Sequence, residues 1–249
     1  MKQKSLMFVF TVIMVFVAGI LLLPFLSSAG VLEPTNCAPV ERTGQTKCYD
    51  ATANSEQDCP VTDFPGQDGD HQKSVAWPTP RFTDNGDGTV TDNLTGLIWL
   101  KDANCIETEH GNYNFDNDYT AGDGAVTWQH ALHFVAGINA GTYSACGAGQ
   151  TDWRLPNIKE LQSLIDYSQR YPPLPEDHPF TNVQAGVAGE DEYWSSTTYA
   201  YDNLSAWVLH WEGVTVTRFK NSYRSVWAVR GGGPCQCQCP ECPEPVPAI

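Results

Sequence analysis

Positive charge is scarce in this 249-residue chain: 14 Lys and Arg stand against 29 Asp and Glu, for a formal net charge of −15. Two of the 14, Lys2 and Lys4, fall in an N-terminal leader, so the rest of the chain is more acidic still. Such a balance disfavours nucleic acid, anionic lipid and, over the molecule as a whole, sulfated polysaccharide as partners. Only a local basic spot, acting within a Debye length of about 8 Å, overrides that sign. Catalytic signatures are missing as well. There is no Gly-x-Ser-x-Gly elbow, no phosphate-cradling glycine loop and no His-Glu-x-x-His. No repeat of solenoid period is visible. We therefore expect no catalytic residues, no cofactor, no metal and no nucleic-acid partner.

What is present is a core and an export signal. Apolar residues make up 41% of the chain and there are eight Trp, enough for a domain with a real interior. Residues 1–29 read as a signal peptide: Lys2 and Lys4 before an apolar run from Leu6 to Leu23, then Pro24 and the small residues Ser27-Ser28-Ala29. The run is longer than most signal peptides need, so an N-terminal anchor is the competing reading. No Cys follows Ala29 immediately, which argues against lipoprotein processing. Either way the expected location is secreted, periplasmic or on the outer cell surface, where disulfides persist.

The chain is organised around Asp152-Trp153-Arg154-Leu155-Pro156-Asn157. Pro156 biases Leu155 toward extended backbone. Asn157 then offers a helix cap, and Glu160 completes a capping-box pattern. Ile158, Leu161, Leu164 and Ile165 fall on one helical stripe. Trp153 reads as a buried anchor and Arg154 as a tether to carboxylates or carbonyls.

Residues 30–80 carry little apolar periodicity and form a loop-rich extension, with Cys48 and Cys59 placed to close a short disulfide loop worth up to about 3 kcal/mol in the chain-entropy model. We expect this strap to pack on the main domain. Between Arg81 and Leu100, Asn85-Gly86-Asp87-Gly88 and Asn93 to Gly96 read as turns between strands. Thr83 stands where a calcium loop needs its first carboxylate, so Asp87 is read as part of a polar hairpin turn, and Asp68-Gly69-Asp70 likewise. Thr127 caps a second helix carrying Trp128, Ala131, Leu132, Val135 and Ile138 on one face. On its other side His130 and His133 lack a third ligand and are read as solvent-facing or hydrogen-bonded. Cys105 and Cys146 flank that helix and are paired with each other, closing an insertion from Ile106 to Gly124. Tyr171 to Pro175 reads as a rigid extended segment. Trp207 to His210 and Val214 to Phe219 form a hairpin around Glu212-Gly213, and Ser225 to Arg230 a last strand.

Residues 233–249 form a Cys/Pro-rich tail in which Cys235, Cys237, Cys239 and Cys242 suit disulfides, including links to another chain, or a soft metal. Nine Cys is an odd number and Cys37 has no local mate, so at least one thiol is free, intermolecular or ligating. A homo-oligomer is therefore one expected partner.

Four segments together resemble the domain at the C-terminus of the Lcl collagen-like adhesin. They are Arg81 to Asp92 running into Gly96-Leu97-Ile98-Trp99; Asp152 to Asn157 with Glu160-Leu161; Tyr193-Trp194-Ser195-Ser196-Thr197; and Val229-Arg230-Gly231-Gly232. The resemblance covers residues 81–232 and implies an α+β, C-type-lectin-like fold, akin to sulfatase-modifying factors, with two helices packed on short antiparallel sheets and braced by disulfides. It assigns Trp99, Trp153, Arg154, Trp194 and Arg230 to the framework. It also implies an adhesin-like module for glycan or protein ligands at the cell surface, in the absence of the lectin calcium motifs.

The surface expected to do this lies within residues 199–224: Tyr199, Tyr201, Asn203, Arg218, Lys220, Asn221, Tyr223 and Arg224. Aromatics beside amides and cations suit sugar stacking or a protein epitope. Arg218, Lys220 and Arg224 make this the most cationic stretch of an acidic chain, while Trp194, Trp207 and Trp227 are expected in the core. The alternatives are a structural, cross-linking surface protein acting through its Cys-rich tail, and an enzyme related to sulfatase-modifying oxidases.

Overall fold

Turn residues and short apolar runs break the chain into many small elements. The computed structural model describes residues 40–50, 55–110, 124–184 and 192–232. The expected leader, Cys37, the centre of the 106–124 insertion and the Cys-rich tail lie outside them. In order, the elements are β1 (Cys48–Tyr49), β2 (Glu56–Gln57), α1 (Asp68–His71), β3 (Phe82–Asp84), β4 (Thr89–Asp92), β5 (Leu97–Leu100) and α2 (Cys105–His110). There follow α3 (Trp128–Asn139), a 3-10 turn at Ser144–Cys146, α4 (Ile158–Gln162), β6 (Glu192–Thr198), β7 (Ser205–His210), β8 (Thr215–Phe219) and β9 (Val229–Gly231). Three antiparallel sheets result: β1-β2, β3-β4-β5-β9 and β6-β7-β8. The fold is mixed α and β, with few helices, several small antiparallel sheets and two disulfides, Cys48–Cys59 and Cys105–Cys146. No helix of the described residues is long and apolar enough to cross a membrane.

The acidic turn between β3 and β4 is a hairpin. Asp84 accepts from the Gly86 amide and Asp87 from the Thr89 amide, so both carboxylates close the turn itself. Gly86 and Gly88 take positive φ there, which side-chain-bearing residues resist. In the interior Arg81 and Asp92 form a buried pair: Arg81 donates twice to Asp92 and once to the Ser163 carbonyl, through Nε and Nη2. Helix α3 is capped by Thr127 as its sequence predicts, and buries Ala131, Phe134, Val135 and Ile138. Phe134 joins the inward face between the expected positions.

The centre of the molecule is aromatic. Trp99, Trp194, Trp211, Trp227 and Tyr193 are all buried, and Trp227 packs against Trp99, Phe180, Tyr193 and Trp211. Two of these indoles reach carbonyls, Trp194 to Val126 at 2.8 Å and Trp227 to Leu100 at 2.7 Å. Truncating such a residue to Ala costs about 3–5 kcal/mol. The strap of residues 40–80 packs onto this body: the Thr43 carbonyl accepts from the Tyr167 amide, and the Trp77 ring lies 4.8 Å from the Arg81 guanidinium.

Five local expectations change. The helix begun at Asn157 ends at Gln162; Leu164 and Ile165 are buried beyond it, because the Asp166 amide turns to the Pro173 carbonyl. Tyr171 to Pro175 is bent, with a cis Tyr171–Pro172 peptide and Tyr171 at φ +44°. Of the Ser225 to Arg230 strand only Val229–Gly231 pairs as β9, since Trp227 turns inward to fill the core. Asp68-Gly69-Asp70 is a helical turn, α1, instead of a hairpin. Trp207 is only half-buried, because its face of β7 lies under Tyr199 instead of the central cluster.

Candidate functional site

The motif residues form a frame. Arg154 donates to both oxygens of Glu160, at 2.7 and 2.6 Å, and to the Gly231 carbonyl. Glu160 also accepts from the Asn157 amide, and Asn157 accepts from Lys159 and Glu160, a complete capping box. Arg154 and Val229 exchange backbone hydrogen bonds, which fixes the end of the chain to the hub. Arg230 donates to Asp152 at 2.6 Å and lies over Trp153, whose own indole donates to the Gly147 carbonyl. That hydrogen bond from Arg230 holds the Asp152 carboxyl below the usual range. The closing Gly232 sits at φ +78°, and a Cβ there would come within 2.9 Å of Leu97 and 3.2 Å of Arg154. Trp99 and Trp194 are buried in the core.

The 199–224 residues gather at one end of the β6-β7-β8 sheet. Tyr199, Tyr201 and Asn203 lie in the β6–β7 connection, Arg218 on β8, and Lys220, Asn221, Tyr223 and Arg224 just beyond it. The Tyr199 amide bonds to Ser205 and the Lys220 amide to Leu204, which draws the two segments side by side. Tyr199 meets Trp207 edge-on at 5.4 Å and lies 6.1 Å from Tyr201. Asn203, Leu204, Phe219, Lys220 and Asn221 line a recess of about 450 Å³. In it Leu204 is 69% and Phe219 60% exposed, and Tyr201, in the same β6–β7 connection, is 89% exposed. Leu204 and Phe219 are new to the site. In sequence they are lone apolar residues at strand ends, indistinguishable from core positions.

The cations behave otherwise than their sequence suggests. Arg218 donates to both oxygens of Glu192, at 2.5 and 2.9 Å, and Arg224 donates to the same carboxylate. The Glu192 side chain is only 4% exposed, so an unpaired charge there would be costly, and these two arginines hold it. The Lys220 ammonium reaches Thr198 at 2.9 Å and the Asn203 carbonyl at 3.0 Å, and lies 4.1 Å from the centre of the Trp128 ring. Its contacts are therefore inside the protein. All three cations are structural members of this end of the sheet before any ligand arrives. Glu192 is absent from the sequence reading because its arginine partners lie 26 and 32 residues downstream.

The other chemical candidates resolve into local contacts. His130 meets the Thr127 hydroxyl at 2.9 Å and His133 the Gln129 amide at 3.1 Å. Among the described residues no group of three His, Cys, Asp or Glu is placed to hold a metal ion. Cys105 and Cys146 are joined in a disulfide, so neither presents a thiol.

Frame and surface together define a disulfide-braced α+β domain whose motif tryptophans face inward and whose β6-β7-β8 sheet end carries exposed Tyr201, Phe219 and Tyr223. The chain belongs to the Lcl C-terminal domain family, whose model matches residues 88–230, more than half of its length. No curated protein matches it.

Proposed function

We propose that the protein is an exported, adhesin-like binding module of C-type-lectin-like architecture that takes its ligand non-covalently at the 199–224 surface. One observation carries this reading: Leu204 and Phe219 are exposed together in a recess shared with Asn203, Lys220 and Asn221, and Tyr201 is exposed in the same β6–β7 connection. Aromatic and apolar side chains left in water beside unhurried polar rims are where binding energy concentrates in recognition surfaces. The ligand face is mainly uncharged, a neutral glycan or a polypeptide, because Arg218 and Arg224 already share Glu192 and Lys220 is held by Thr198 and Asn203.

The test is a screen of the full chain against neutral and sulfated glycans and immobilised matrix proteins, at low and at physiological salt. Binding that survives physiological salt and is lost in the Leu204→Ser/Phe219→Ser double variant is the expected result. That variant removes only exposed apolar groups, so its stability stays within about 0.5 kcal/mol of the parent. Binding confined to sulfated sugars, abolished by salt and indifferent to the double variant, would sink the assignment.

A further inference from the structure

The recess adjoins the outer edge of β8, and the hydrogen-bond pattern fixes which backbone groups that edge offers. Lys220 and Leu204 form a bonded pair, as do His210 and Val214, so the alternate pairs Ala206–Arg218 and Val208–Val216 carry the remaining rungs between β7 and β8. The amides of Thr215, Thr217 and Phe219 therefore point away from β7. Among the described residues they have no hydrogen-bond acceptor. The Thr217 carbonyl takes one bond from Arg218 and the Phe219 carbonyl one from Ser222, leaving each a second lone pair.

The side chains along this edge divide by face. Thr217 stands opposite Trp207 and Phe219 opposite Ser205, so Thr215, Thr217 and Phe219 share the side on which Tyr199 covers Trp207. Val216 and Arg218 occupy the other side, with Glu192 and Arg224. One carboxylate there serves two arginines, and Lys220, with no carboxylate partner among the described residues, is held by Thr198 and Asn203. The Arg218 side chain remains 38% exposed. With Asp202 in the β6–β7 connection and Glu212 in the turn before β8 the edge as a whole is close to balanced, and the exposed part of Arg218 is the cation nearest to it.

Resting on the surface reading above, we propose that the ligand is an extended polypeptide segment that adds as a fourth strand to the free edge of β8. Its backbone pairs with Thr215, Thr217 and Phe219, as added strands do on open sheet edges. Its apolar side chains, at alternate positions, lie along Thr217 and Phe219 and enter the recess beside Leu204. Its intervening positions face Arg218 and favour an acidic residue. A second copy of this chain fits poorly, since two bodies of net charge −15 repel.

The experiment uses the full-length protein and a phage-displayed library of random twelve-residue peptides. Enriched peptides with apolar residues at every second position and an acidic residue between them are expected. Synthetic versions are then N-methylated one residue at a time. Methylation at every second position should weaken binding about tenfold, and methylation at the positions between should leave it nearly unchanged. Replacing the acidic residue by its amide should weaken binding by a smaller factor. Peptides that bind without a two-residue periodicity overturn strand addition, and so does enrichment of none. If a neutral glycan then binds and is lost in Leu204→Ser/Phe219→Ser, the surface reading survives alone. Peptides unaffected by that double variant, or salt-suppressed self-association in place of peptide capture, overturn the proposal too.

Discussion

Two regions of this domain use arginine in opposite ways. In the frame, cations and carboxylates are matched one to one: Arg154 with Glu160, Arg230 with Asp152, and in the interior Arg81 with Asp92. On the β6-β7-β8 sheet, whose tip carries the candidate surface, a single carboxylate, Glu192, answers two arginines. The frame directs its tryptophans inward; the tip leaves Tyr201, Leu204 and Phe219 in water. Motif residues therefore mark where the chain is held together. The surface available for recognition is built from residues that belong to none of the four motif segments.

The sharpest way to break this contrast is to unbalance a matched pair. Asp92→Asn strands the buried Arg81 guanidinium and should cost about 3–5 kcal/mol, read as a lower urea midpoint. Glu192→Gln should cost less, about 2 kcal/mol, because Arg218 and Arg224 retain some access to water. Adding Arg218→Gln to that variant should recover part of the loss by separating like charges; a further loss of the same size would mean that Arg218 contributes packing alone. Arg154→Ala exposes the helix cap and the Gly231 carbonyl, and about 1 kcal/mol is expected by chemical denaturation.

The smallest effect is a pH dependence in the frame's lower half. The His178 ring lies against Phe180 with its Nδ1 buried and without a partner, and burial lowers its pKa against a weak opposing pull from Asp177. Protonation then favours the unfolded chain. Stability should be full above the unfolded value of about 6.5 and fall as pH drops through it toward the lower folded value. Asp152 acts in the same sense but at lower pH: its depressed carboxyl contributes above the unfolded value near 3.8 and fails only below it. His178→Gln should flatten the change in urea midpoint between about pH 7 and 5. An unchanged slope would remove His178 from that account.

Much of the frame was legible because its signals are local. Turn glycines specify the β3–β4 hairpin, Thr127 and Asn157 cap their helices, and the spacing of Cys48 with Cys59 and of Cys105 with Cys146 anticipates both disulfides. The end of α4 was missed because a distant carbonyl, that of Pro173, redirects Asp166. The tip was legible in its aromatic and amide content but misleading in charge. Arg218, Lys220 and Arg224 cluster in sequence as a cationic patch, while the carboxylate that engages two of them comes from β6. Leu204 and Phe219 become a surface only once two strand ends are brought together, which no window of sequence contains.

The position of β9 has a consequence for timing. The strand Val229–Gly231 supplies the outer partner of β5 and also holds the hub through Arg154. Both of its neighbours are made long before it. Until those last residues are available, the edge of β5 is bare and the Asp152 to Glu160 turn lacks its clasp. Such reliance on contacts distant in sequence belongs to domains that fold in milliseconds to seconds, not microseconds. The body of the chain thus closes as a domain only when Val229–Gly231 pairs with β5 and with Arg154.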